Sequence, residues 1–274
     1  ILFLYYPFVQ YLLNSFSEIS GLGTPSQGLQ APWYANYAAL FTDPKLHTAL
    51  VNTLILIGCT IVFQVGIALI LALLVDSIRV GAQLFRTLYF FPIVISATAL
   101  GLMFNLIFLY NGGMVNQLLK SLGVIAGNID WKDQQHFLFT MFMPIMRQYV
   151  GFYFVILVTG LNNIPQDLYE AAGLDGCSGL NRVRYITLPL LRNVLSTCLV
   201  LAITGALKVF DLPWVMFGAG MPQEQGWLTA TYMYDQTFNR GNVDYGSAIA
   251  TLIVVLGVVL SNVANRVFKP SDDL

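Results

Sequence analysis

The chain has 274 residues, 57% of them hydrophobic and 10% charged, with a net charge of −1. Soluble domains carry roughly 25% charged residues, so this chain cannot wet the surface of a soluble globule, and its mean hydropathy of +0.69 agrees. Disorder needs low hydrophobicity and high charge and is excluded with it. The near-neutral balance offers no basic face for nucleic acid. Cys59, Cys177 and Cys198 are too few and too scattered for a disulfide scaffold or a zinc site. The composition is that of an integral membrane protein.

Uncharged runs place the spans, because a helix needs about 20 apolar residues to cross roughly 30 Å of hydrocarbon. The first run, 1–17, has no charged start and no small-residue cleavage site of the kind a signal peptide needs. It is expected to be a span whose cytoplasmic lead-in is missing. Runs at 48–75 and 87–109 follow, the latter with Pro92 near its start. The fourth, 134–161, is interrupted by Arg147, and the fifth and sixth are 190–209 and 245–267. The expected architecture is therefore all-α, with six transmembrane helices in a single domain over 1–274.

Orientation follows from lysine and arginine in the loops. Arg79, Arg86, Arg182, Arg184, Arg192, Arg266 and Lys269 fall on one side of such a topology; Lys45, Lys120, Lys132 and Arg240 fall on the other. The richer set is expected in the cytoplasm, together with the C-terminus. The outer loops contain the turn-forming stretches Gly21–Pro25, Asn111–Gly113 and Gly218–Pro222. Between them, 114–122 places Leu118, Leu119 and Leu122 on one side, as an interfacial helix would.

The segment 161–191 is unusual for a membrane-protein loop. Pro165 suits a first helical position, and Gln166 to Ala172 are good helix formers, with Asp167 and Glu170 near the positive helix end. Gly173 and Gly176 are expected to stop that helix, and Ser178 to cap a second piece carrying Arg182 and Arg184. Leu168, Tyr169 and Leu174 offer apolar anchors beside small Ala171, Ala172 and Gly176. Composition alone leaves two readings open, a docking surface and a solvated connector.

Glu170-Ala171-Ala172, three residues, Gly176, nine residues, then Ile186-Thr187-Leu188-Pro189 resembles the EAA loop of binding-protein-dependent ABC importer permeases. Cys177 stands where that family often has Ala, and Met221-Pro222 where it often has Gly-Pro. Asn36-Tyr37, Asp43-Pro44, Asn52-Thr53-Leu54, Phe85-Arg86-Thr87-Leu88, Phe91-Pro92, Val209-Phe210-Asp211 and Tyr245-Gly246-Ser247-Ala248 are similar to landmarks of the carbohydrate-type permeases. The resemblance covers nearly the whole chain and implies the type I importer permease fold, with a cytoplasmic coupling loop at about 162–190. It also implies partners: a second, homologous permease forming a heterodimer, two cytoplasmic ATPase subunits, an extracytoplasmic solute-binding protein, and a carbohydrate substrate. The membrane would be that of a bacterial or archaeal cell.

On that resemblance, Glu170, Ala171, Ala172 and Gly176 would couple to the ATPase, with Glu170 meeting a basic residue. A helix-dipole role for Glu170 and a turn role for Gly176 are the simpler alternatives. Arg182 and Arg184 fit ATPase contact and the inside-positive bias equally well. A sugar path needs aromatic faces and neutral hydrogen-bonding groups, which Asn105, Gln148, Tyr149, Phe152 and Thr204 supply; ordinary helix packing explains each as well. Lys208 and Arg147 are the charges nearest the bilayer interior, where a charge faces a cavity or a partner. Pairs of Arg147 with Asp211 or Asp244, and of Lys208 with Asp211, are feasible.

No G-x-x-x-x-G-K-[ST] segment is present for nucleotide phosphates. His47 and His136 are isolated, and no catalytic elbow or His-Glu-x-x-His pair occurs. The chain is expected to be neither an enzyme nor a holder of metal or cofactor. A dimeric, ion-coupled secondary transporter of a small polar solute is the alternative class; it would want paired repeats and midplane acids. A membrane-embedded enzyme would need convergent titratable groups within the spans.

Overall fold

The computed structural model describes residues 2–19, 21–76, 82–218 and 225–268. Arg79, Met221, Pro222 and Lys269, named above for topology and turn chemistry, lie outside the described residues. The described chain is helical, and its one β-type contact is an isolated bridge between Ser17 and Leu29.

Helices α1 (Leu2–Asn14) and α2 (Ala35–Thr42) precede a long α3 (Pro44–Val75). Next come α4 (Ala82–Val94), α5 (Ala97–Ile107), α6 (Met114–Ser121) and α7 (Phe137–Asn162). The segment expected to couple forms α8 (Gln166–Leu174) and a helical stretch α9 over 180–190. Helices α10 (Arg192–Leu207), α11 (Asp211–Phe217), α12 (Thr229–Tyr234) and α13 (Val243–Phe268) complete the order.

Four helical stretches are long and apolar enough to cross a membrane: Pro44–Val75, Phe137–Asn162, Arg192–Phe217 and Val243–Phe268. A fifth is counted if Leu84–Val94 and Ala97–Ile107 make one span, but that pair is bent by 91°. The six expected crossings are thus four or five among the described residues. Two causes explain the difference. The first run yields a helix of 13 residues, about 20 Å at 1.5 Å per residue, and the third breaks at Ile95-Ser96, just after Pro92.

The described residues gather into two compact units. One comprises 1–56, 97–144 and 205–258. Its core packs Leu40, Leu46 and Ala49 with Trp227, Tyr232, Ala248 and Ile249. Asn52 donates to the carbonyls of Gln225 (2.7 Å) and Trp227 (3.0 Å), and the amide of Thr229 donates to Thr53 Oγ1 (3.0 Å). Buried Asn116 donates to the carbonyls of Leu109, Tyr110 and Ile129 and accepts from the Trp131 indole, so one side chain organises the loop on either side of α6. Of the apolar side expected at 114–122, Leu118 and Leu122 are exposed and Leu119 is half-buried, while Met114 is exposed as well.

The second unit comprises 57–96, 145–204 and 259–274. Val65, Ala68, Ala72 and Val75 pack against Tyr153, Phe154, Leu157, Leu161, Leu191 and Cys198. Gly151 lets α7 run directly against the backbone of Tyr89 and Phe90, a place any side chain would fill. Within α3, Thr60–Val65 is π-helical, and there buried Gln64 donates to the Ile145 carbonyl at 2.7 Å. The extra residue of a π turn shifts the helix face, which aims Gln64 at a backbone acceptor instead of lipid.

Candidate functional site

The segment 165–190 is built from a helix closed at its C-terminal end and a braced return. Pro165 stands at the N-cap of α8, and the helix continues past Gly173 to Leu174. Its end is set by Gly176, at φ +76°. The Cys177 amide donates to the Ala172 carbonyl (2.8 Å) and the Gly176 amide to the Gly173 carbonyl (3.1 Å). This is the Schellman pairing, in which a left-handed residue satisfies the last helical carbonyls. A Cβ on Gly176 would meet nothing within 4 Å, so within this chain the turn, and not a close approach, requires glycine. Ser178 does not cap α9; Gly179 occupies that position, and no side chain accepts a cap bond there.

Tyr169 joins the two helical pieces. Its hydroxyl lies 3.3 Å from Thr187 Oγ1, and the Arg182 guanidinium stacks over its ring at 4.7 Å. Thr187 and Ala172 are buried, so Ala172, expected to meet the ATPase, faces into the chain. Cys177, Val183, Ile186 and Leu188 are half-buried. Glu170, Ala171, Gly176, Arg182 and Arg184 are exposed, and Glu170 has no ion pair among the described residues. Leu174 is 91% exposed and Leu180 86%, with Tyr185 and Leu168 also open. Arg184 leans on Tyr185 at 5.7 Å. The sequence singled out Tyr169 as an anchor but not its brace to Thr187, a pairing across 18 positions that only folding reveals.

The polar and aromatic residues expected along a sugar path divide between the two units. Asn105 and Lys208 belong to the first; Gln148, Tyr149, Phe152 and Thr204 belong to the second. Asn105 is already engaged, its Oδ1 accepting from Lys132 Nζ at 2.7 Å. The Thr204 hydroxyl donates back to its own helix at the Val200 carbonyl, 2.8 Å. Gln148 is buried, Tyr149 is 37% exposed and Phe152 is half-buried. Among the described residues neither Arg147 nor Lys208 has an ion pair. The helix stops at Leu207, so Lys208 sits on a non-helical turn and loses the register that would have faced it to Asp211. The Asp244 carboxylate accepts from the Tyr245 amide at 2.8 Å.

Two polar centres of the first unit were not legible as such in the sequence. Lys132 Nζ donates to Asn105 and to the Met216 carbonyl (2.9 Å) and lies 5.7 Å from the Phe217 ring centre. Burial pulls its ammonium below the ordinary lysine range, with Asp130 opposing in part. Asp43 accepts from the Tyr232 hydroxyl (2.6 Å), the Tyr245 hydroxyl (2.7 Å) and the amides of Lys45 (2.9 Å) and Leu46 (3.3 Å). Burial opposes ionisation there, yet these four donors outweigh it and hold the carboxyl below the usual aspartate range.

Residues 64–271 match the family of binding-protein-dependent transport system inner membrane components. The chain belongs to that family. Among its relatives is a probable ABC transporter permease protein, YurN, of Bacillus subtilis (strain 168), 32% identical over 85% of this chain and 81% of that one. The arabinooligosaccharides transport system permease protein AraP of the same organism is 29% identical over 95% of this chain and 82% of its own length. A chain of a bacterial ABC transporter involved in the import of the acidic polysaccharide alginate shares the fold, with a TM-score of 0.80 at 21% identity, covering 98% of this chain and 90% of that one. The protein is thus a multi-pass membrane permease with the importer fold, and α8 and α9 lie within the family match. In this family ATP hydrolysis belongs to a separate subunit.

Proposed function

We propose that the chain is one transmembrane permease subunit of an ATP-driven carbohydrate importer, acting as a single domain. It pairs with a second, homologous permease, sits on two cytoplasmic ATPase subunits, and receives substrate from an extracytoplasmic solute-binding protein. The coupling segment and the C-terminus face the cytoplasm in this reading. The observation that carries it is the exposure of Leu174, Leu180 and Glu170, which has no ion pair among the described residues, on a segment closed at Gly176 and braced by Tyr169. Exposed leucines beside an exposed carboxylate favour docking over a solvated connector.

The physics of coupling follows from that rigidity. The Schellman cap and the Tyr169 brace let α8 and α9 transmit a rigid-body displacement, which a flexible loop would absorb. ATP-driven closure of the paired ATPases would pull the segment and switch the spans between inward- and outward-facing states. The carbohydrate assignment rests on relatives such as AraP and the lactose transport system permease protein LacF of Rhizobium radiobacter, 28% identical over 94% of this chain.

Affinity purification of this chain from its native membrane, with identification of every co-purifying subunit, tests the reading. A second permease and an ATPase are the expected companions. Recovery of a lone homodimer after mild crosslinking would overturn it.

A further inference from the structure

Two breaks in regular helix are bridged by one aromatic stack in the first unit. The stretch Arg192–Phe217 is interrupted at 208–210, where the backbone leaves helical geometry before α11 resumes at Asp211. Helix α12 runs into a π-helical turn, Asp235–Asn239. Phe210 stacks on Trp214 (5.3 Å between centroids, planes 26° apart), and Tyr234 meets Phe210 at 4.6 Å, Trp214 at 4.8 Å and Phe238 at 4.7 Å. Phe238, at the open end of the row, is 51% exposed.

The polar groups beside this row are unspent. Lys208 and Asp211 are exposed, and among the described residues neither has an ion pair or a side-chain hydrogen bond. The Tyr234 hydroxyl likewise has no hydrogen-bond partner among them, though its ring is half-buried. Irregular backbone and free charges within an apolar span are tolerated where they line a water-filled cavity or meet a partner. Interrupted helices are where carriers place substrate sites, and π turns recur at functional positions.

We propose that Phe210, Trp214, Tyr234 and Phe238 form a stacking platform for a sugar ring, with Lys208 and Asp211 as hydrogen-bonding groups for its hydroxyls. A pyranose presents C–H groups on its faces and hydroxyls around its edge, so it matches ring faces flanked by one strong donor and one strong acceptor. Phe238 is the outermost contact and Tyr234 the hinge of the stack. The inference rests on the carbohydrate-importer reading and gives that reading a site distinct from the polar residues of α7.

The test uses the whole importer, with its ATPases and binding protein, in proteoliposomes supplied with labelled arabinotriose, lactose and maltotriose. At least one sugar is expected to be taken up by the native protein. Phe238→Leu and Asp211→Asn should each slow that uptake by roughly five- to tenfold, and Phe238→Tyr should restore it. Thermal stability and ATPase recovery should stay at native levels, since Phe238 and Asp211 are exposed. Native uptake rates in both the Leu and Asn variants would overturn the platform while leaving the importer reading intact. Equal loss in Phe238→Leu and Phe238→Tyr would overturn it too, because an aromatic face would then not be what matters. An assembled importer with ATPase activity that moves none of the sugars would overturn both the platform and the carbohydrate reading.

Discussion

Asp43 and Glu170 are both carboxylates near helix ends, and they stand in opposite conditions. Asp43 accepts four hydrogen bonds, from two tyrosine hydroxyls and two amides, and ties the start of α3 to α12 and α13. Glu170 is exposed, has no ion pair among the described residues, and sits on a helix whose C-terminal end is closed by the Schellman pairing. One acid has spent its bonding capacity inside the chain. The other keeps it on a rigid support beside exposed Leu174. A carboxylate saturated from within is scaffold, and one left exposed on a braced helix is what the proposed docking needs.

The contrast can be broken most forcefully at the scaffold. Asp43→Ala strands two partly buried tyrosine hydroxyls and should cost about 3 kcal/mol, the scale of losing hydrogen bonds to a charged group. A thermal melt in detergent would register it, and Asp43→Asn should fall between the two. Acid sharpens the same point. The folded pKa of Asp43 lies below its unfolded value of about 3.9, so its stabilisation is complete above that value and is lost as pH falls through the folded pKa. The gap in melting temperature between native protein and Asp43→Ala should therefore narrow below about pH 4.

At the coupling segment the expected effects on stability shrink. Gly176→Val forces a β-branched residue to a left-handed φ and should cost about 1–2 kcal/mol locally. Hydrogen exchange should then show the amides of Gly176 and Cys177 losing protection while the spans keep theirs. Tyr169→Phe removes one long hydroxyl contact and retains the ring under Arg182, so it should cost under about 1 kcal/mol. Glu170→Ala should leave the melt unchanged within about 0.5 kcal/mol yet weaken recovery of the ATPase.

The sequence made some of this legible for physical reasons. Apolar runs of bilayer length, uncharged away from their ends except for Arg147 in α7, mark α3, α7, α10 and α13, since charge is costly in lipid over that distance. The bend between α4 and α5 escaped because Pro92 reports a local weakness without its angle. Gly176 pointed to the end of α8, whereas the cap of α9 was misplaced by one residue, at Ser178 instead of Gly179. Asp43, Asn52, Thr53 and Tyr245 were noticed as landmarks, but their bonds link positions up to 202 apart, and spacing carries no such information. Lys132 was visible as one loop charge; its clasp on Asn105 and Met216 depends on where α5 and α11 meet.

The most direct test of the docking claim labels Leu174→Cys in a Cys177→Ala background with a bulky membrane-impermeant maleimide, in inside-out vesicles with and without the ATPase subunit. Fast labelling of the lone permease and strong protection once the ATPase is bound is the predicted result. Equal labelling rates with a demonstrably bound ATPase would contradict it and leave the segment a solvated connector.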